Sequence, residues 1–240
     1  LNLGLNLVER SGCFGCHVIE KYKDKRRIGP DLNQIASKTN KDWAMRWINN
    51  PKSFRHNTWM PRFFGQSNNG DPESIKRTDQ EIQAIVHYLF SNSNDFEMNS
   101  VKRSGNAKNG EELVASIGCL GCHRIESEEI ERETSLQSLR RDHGPNLIGV
   151  GSKTTEEWVY NWLKTPEAYF PETKMPNLRL TDQEAADLSA YLLTLKQDEF
   201  IDTPFPEIDE EIQDEIAVEF LNMTMSEVEA LSEMELLTID

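Results

Sequence analysis

Across 240 residues the chain sets 41 acidic side chains against 26 basic ones, a formal net charge of −15, with 37% hydrophobic residues. No basic stripe dominates, which argues against nucleic-acid binding, and no apolar run approaches the ~18 residues a membrane helix needs. The acidic excess is local: residues 201–240 hold 13 Asp or Glu and no Lys or Arg, so the rest balances 28 acids against 26 bases. The length suits one large domain or two small ones. The chain begins at Leu1 without a charged-then-apolar leader, as a processed protein or a piece of a longer one would.

In chain order, Gly4–Gly12 reads as a helix that feeds Cys13-Phe14-Gly15-Cys16-His17. This C-x-x-C-H pattern attaches a c-type haem. Two thiols three positions apart on one turn can add to the two vinyl groups on one porphyrin edge. The adjoining histidine is then carried beneath the ring, within reach of the iron. Gly29-Pro30-Asp31-Leu32 follows, and then a helix over Thr39–Asn49 that opens on a polar cap. Trp43 and Trp47 lie at i and i+4 on one of its faces, and Pro51 stops it. Beyond Met60-Pro61, Arg62–Arg77 includes a Gly- and Asn-rich turn that reads as a surface loop. Thr78-Asp79-Gln80-Glu81 has the form of a capping box and predicts a helix ending near Phe90.

The same order then recurs. Gly110–Gly118 precedes Cys119-Leu120-Gly121-Cys122-His123 at an offset of 106 from the first copy. The offset is 115 for Gly144-Pro145-Asn146-Leu147, Ser152-Lys153-Thr154, Trp158, Trp162, Pro166 and Met175-Pro176. It falls to 103 for Thr181-Asp182-Gln183-Glu184 and Tyr191, which open and line a helix ending near Leu195. The changes of offset mark a 9-residue insertion after the second histidine and a 12-residue insertion after Met60, both expected as surface loops. No alternating strand pattern competes, so the fold class is all-α. The expected domains are 1–98 and 104–200, joined through an Asn- and Ser-rich stretch with 99–110 as linker and start of the second domain, and followed by an acidic tail at 201–240.

The two motifs use all four cysteines. A C-x-x-C can also be a redox dithiol or half of a zinc site. A zinc ribbon brings its second pair within a few tens of residues, and a thioredoxin-type motif expects a βαβ context. Two covalent haems, one per repeat, fit the spacing better than either.

Taken together, the N-terminal helix, C-x-x-C-H, Gly-Pro-x-Leu, Trp-bearing helix, Met-Pro and C-terminal helix resemble the class I cytochrome c family, twice over, across about residues 1–200. The resemblance implies that Met60 and Met175 are the second axial ligands of irons held by His17 and His123. It implies that Pro30 and Pro145 offer their carbonyls to those histidines. It also implies that the first and last helices of each domain cross, bringing Gly4 near Tyr88 and Gly110 near Tyr191. The residue pattern supports the methionines: of seven in the chain, only Met60 and Met175 are equivalent in both repeats, each in a turn before proline. Met45 lies on the Trp43 helix and reads as core. His56, His87 and His143 have no histidine partner in the other repeat and read as surface or packing residues, His56 being near enough to Met60 to compete with it. Trp43, Trp47, Trp158 and Trp162 read as pocket and core.

With His/Met ligation both axial positions are filled, which suits single-electron transfer rather than substrate binding. The expected function is therefore an electron-carrying diheme cytochrome, not an enzyme. Its partners would be a quinol-oxidising complex, an oxidase or reductase, or other cytochromes. The resemblance places such a protein in the periplasm or elsewhere outside the cytoplasm. A diheme peroxidase needs an iron that can lose its sixth ligand, and a thiosulfate-oxidising enzyme needs a spare cysteine. The tail suggests a further reading, a subunit or module of a larger redox complex. Ile208, Ile212, Ile216 and Phe220 recur at helical spacing, and a second helix reads as capped by Thr224 with Glu227.

Overall fold

The computed structural model describes residues 1–23, 29–56, 58, 60–125 and 144–237. Two similar sets of helices follow one another along them. In the first, α1 (Asn2–Arg10) runs into a 3-10 turn at Cys13–Gly15, followed by α2 (Ile35–Lys38), α3 (Lys41–Asn49), α4 (Pro51–Phe54) and α5 (Pro72–Ser91). The second repeats the order: α6 (Ala107–Ser116), a turn at Cys119–Gly121, α7 (Val150–Lys153), α8 (Glu156–Lys164), α9 (Pro166–Tyr169) and α10 (Asp182–Leu192). Then come α11 (Asp198–Asp202), α12 (Glu210–Leu221) and α13 (Glu227–Leu237). Extended pairing among the described residues is confined to a bridge between Val18 and Asp31.

Each set closes by crossing its first helix over its last, α1 on α5 and α6 on α10. The crossing needs glycine. A Cβ on Gly4 would strike the Ala84 carbonyl and stand 2.7 Å from the Tyr88 Cβ. One on Gly110 would strike the Asp187 carbonyl and stand 2.7 Å from the Tyr191 Cβ. This is the approach that the resemblance implies. Around it, Leu7, Val8, Ile82, Ile85 and Val86 form one core, and Val114, Val159, Ala185, Ala186 and Leu188 form part of the other.

Helix starts follow side-chain capping, in places differently from the sequence expectation. Helix α3 is capped by Asn40, which accepts from the Trp43 amide at 2.8 Å, and α8 by Thr155, which accepts from the Trp158 amide at 3.2 Å. Thr39 and Thr154, expected as caps, lie one residue further out with extended backbone. The capping box at Thr181 and Glu184 is present. The one expected at Thr78 and Glu81 is not, because α5 already starts at Pro72 under an Asp71 cap that accepts from the Ser74 amide at 3.0 Å. Aspartate followed by proline at the first helical position is the stronger start signal. Thr78, inside the helix, instead donates to the Ser74 carbonyl. The last third of the expected surface loop over Arg62–Arg77 is thus helix. The second repeat's insertion lies outside the described residues, as does His143. In the tail, Ser226 with Glu229, rather than Thr224 with Glu227, makes the reciprocal bonds at the start of α13. Thr224 is occupied with the Leu221 carbonyl.

The residues after α10 return to the first set. Phe200 enters the Trp43 and Phe54 cluster, with ring centroids 4.8 Å apart for Phe54 and Phe200. Helix α12 lies along α5: Gln80 bonds the Asp209 amide and the Gln213 side chain, and Arg77 pairs with Glu219 at 2.6 Å. Ile212 and Ile216 are buried there.

Replacing Gly110 with alanine separates two opposed effects. Helix propensity favours alanine by about 1 kcal/mol. The clash with a backbone carbonyl disfavours it by about 1–3 kcal/mol. The expected outcome is net destabilisation, read as a lower midpoint in urea unfolding. A raised midpoint would mean the helices do not approach this closely.

Candidate functional site

The site in each set is built from the same sequence of local events. Gly12 (φ 68°) and Gly118 (φ 93°) take the left-handed conformation that ends α1 and α6. The chain then tightens into the 3-10 turns that carry Cys13 and Cys119. The amide of His17 donates to the Cys13 carbonyl and that of His123 to the Cys119 carbonyl, both at 2.9 Å. Thiols and imidazole are thereby held on one turn. The Leu32 amide donates to the Val18 carbonyl at 2.9 Å, and the Leu147 amide to the Arg124 carbonyl at 2.8 Å. These bonds fix the Gly-Pro segment beside the histidine.

His17 Nδ1 lies 2.9 Å from the Pro30 carbonyl oxygen, and His123 Nδ1 lies 2.8 Å from that of Pro145. A carbonyl can only accept, so Nδ1 carries the proton and Nε2 keeps its lone pair free for a metal. Burial lowers the His17 imidazole pKa, against the opposing pull of the Pro30 carbonyl, which favours the neutral ring that can ligate. There is no room for a side chain between them. A Cβ on Gly29 would meet His17 Nδ1, and one on Gly144 would meet the His123 ring.

The methionines are held in parallel. Met60 Sδ accepts from Trp47 Nε1 at 2.8 Å, and Met175 Sδ accepts from Trp162 Nε1 at 2.9 Å. Thr58 and Thr173 hydroxyls each accept from the methionine amide at 3.2 Å. Trp47 stacks on Trp43 with centroids 5.1 Å apart, and Trp162 on Trp158 at 5.3 Å. Met45 packs against the first core. His56 and His87 are both exposed.

Chemically, Cys13 and Cys119 do not favour the thiolate form. Burial pushes the Cys13 thiol up to about 11 and raises that of Cys119 too, whereas a redox dithiol or zinc site needs a lowered value. No cluster of three or more His, Cys, Asp or Glu gathers for a metal among the described residues. A haem, by contrast, answers a specific deficit. Trp43 Nε1, Trp158 Nε1, Thr39 Oγ1 and Thr154 Oγ1 are buried with no hydrogen-bond partner, at equivalent places in both sets. An orphaned buried donor costs roughly 1–3 kcal/mol. The propionate carboxylates of a haem are acceptors of the kind these groups lack. The donor set therefore fits haem c: cysteines for the thioethers, His and Met for the iron, and Trp and Thr for the carboxylates.

The sequence reading left out the seam between the two sets. Lys38 Nζ sits over the Trp158 ring of the second set, 4.6 Å from its centroid, and Lys153 Nζ sits over Trp43 of the first at 4.7 Å. Arg55 donates to the Asn146 carbonyl at 3.0 Å, and Tyr169 to the Gln34 carbonyl at 3.0 Å, both across the seam. Burial, with Arg55 adding to it, pushes the Lys38 ammonium down to about 8, and burial, with Lys38 and Arg55 nearby, lowers Lys153 too. The repeat of Ser-Lys-Thr was visible in the sequence, but nothing local in it points across to another domain.

Comparison with known proteins agrees with the geometry. The cytochrome c family model matches twice, at residues 2–93 and 107–196. Cytochrome c oxidase subunit 2 of Bacillus subtilis (strain 168) is 34% identical over 107 residues. The match takes in 40% of this chain and 28% of that protein, so the chain spans under a third of its relative's length. With the family pattern matched over most of its length, this chain belongs to the cytochrome c family as two tandem cytochrome c domains.

Proposed function

We propose that the protein is a diheme c-type cytochrome that passes single electrons between redox partners outside the cytoplasm. Each domain would hold one haem c, the first through Cys13, Cys16, His17 and Met60, the second through Cys119, Cys122, His123 and Met175. Pro30 and Pro145 would orient the histidines. The carrying observation is the duplicated pair of bonds, histidine to proline carbonyl and tryptophan to methionine sulfur, repeated at near-identical distances. When bound, a haem of this kind supplies an iron that takes up and releases one electron. The chain's own part is to hold Nε2 free, keep the thioether sulfur in a fixed orientation, and exclude water with the stacked indoles. With a ligand for each face of the iron, the site favours a carrier over a peroxidase-type enzyme. The domains are proposed as 1–98 and 104–200.

A second reading, a subunit or module of a larger redox complex, draws on two observations. The Bacillus relative is named as an oxidase subunit. Helix α13 exposes Val228 (79%), Leu231 (50%) and Leu236 (62%), large apolar side chains in an acidic segment. Among the described residues no helix is long and apolar enough to cross a membrane. Donors and acceptors such as a quinol-oxidising complex, an oxidase or reductase, or another cytochrome fit either reading.

A reductive titration of the holoprotein should take up two electrons per chain, and the reduced form should not bind carbon monoxide. Carbon monoxide binding at one haem would instead favour an enzyme. A narrower test is Trp162→Phe. Losing the donor to Met175 leaves the sulfur lone pair more available to the oxidised iron. The potential of the second haem should therefore fall while the first stays in place, as read by spectroelectrochemistry.

A further inference from the structure

We infer that Lys38 and Lys153 form a crossed pair of charge sites, each tuning the electron affinity of the haem in the other domain rather than its own. The inference rests on the reading that each domain holds one His/Met haem.

The geometry is reciprocal. Lys38 belongs to the first domain yet docks on Trp158, with Trp162 and Tyr169 at 6.0 and 5.6 Å around it. Lys153, its counterpart in the repeat, docks on Trp43 of the first domain. In each case the ring beneath the ammonium carries an unpartnered buried indole nitrogen. That ring also stacks on the tryptophan that donates to the methionine sulfur of the same pocket. Each cation is therefore built into the wall of the opposite site.

The charge balance calls for anions at the same place. Among the described residues the contacts of the two ammonium groups are with aromatic faces. Asp31, whose field reaches Tyr169, is engaged by the Asn33 amide at 2.7 Å. Two lysines brought near one another and near Arg55 repel. Stacking on aromatic faces offsets only part of that cost. Haem propionates facing this seam would neutralise the cluster. A positive charge near an iron, held by the carboxylates it pairs with, favours the form that carries the extra electron. Removing the charge should lower that haem's potential.

The test needs each haem's potential separately. Met60→His converts the first site to bis-histidine ligation, which labels its haem spectrally, and Met175→His does the same for the second. In the holoprotein carrying M60H, K38M should lower the potential of the second haem, and K153M should leave it nearly unchanged. In the M175H background the pattern should invert. K38R and K153R keep the charge and should restore the parent potentials, which separates loss of charge from loss of packing. Shifts confined to the lysine's own domain, or no shift from either lysine, would overturn the crossed assignment alone. Fewer than two haems per parent chain would instead overturn the underlying reading, and the assignment with it.

Discussion

The bond from a histidine Nδ1 to a proline carbonyl is the constraint around which each domain is arranged. It settles which ring nitrogen is free, and so which atom can meet an iron. For it to form, the turn after the first helix must deliver the histidine next to the Gly-Pro segment, and glycine must stand where any side chain would collide with the imidazole. The backbone bonds from Leu32 to Val18 and from Leu147 to Arg124 hold that segment in place. The helix crossings at Gly4 and Gly110 in turn fix the first helix, from which the turn departs. A haem held as proposed, by histidine and methionine, would complete a core that the polypeptide leaves with unpaired indole and hydroxyl groups.

The second constraint is electrostatic. Duplication gave two pockets, and the seam between them collects Lys38, Lys153 and Arg55. Like charges brought this close repel one another. Negatively charged cofactor edges at the seam would offset that repulsion, and cofactor loading would then be linked to domain packing. The tail contributes separately. Phe200 and α12 pack on the first domain and bring carboxylates to Lys76 and Arg77, which leaves α13 as the exposed acidic and apolar element.

Much of this was legible in the sequence because the determinants are short and local. C-x-x-C-H, Gly-Pro and Met-Pro are contiguous words, and repetition distinguished Met60 and Met175 from five other methionines. The close approach at Gly4 and Gly110 was legible only through resemblance, since nothing in a helix sequence says which glycine meets another helix. Cap choice was misread where two polar residues compete: Asn40 over Thr39, Thr155 over Thr154, Ser226 over Thr224. The start of α5 was missed because a capping box at Thr78 looked sufficient, while Asp71-Pro72 began the helix seven residues earlier. The crossed lysines were not legible at all, since their partners lie more than a hundred residues away and only the folded seam brings them together.

The central claim is that each domain holds a haem between a histidine and a methionine. Haem quantified per chain, with low-temperature optical and electron paramagnetic resonance spectra of the oxidised protein, tests it most directly. The account predicts two low-spin haems per chain, each with the weak red-edge absorption of methionine–iron ligation. A high-spin or bis-histidine component would contradict it, by removing Met60 or Met175 from the iron.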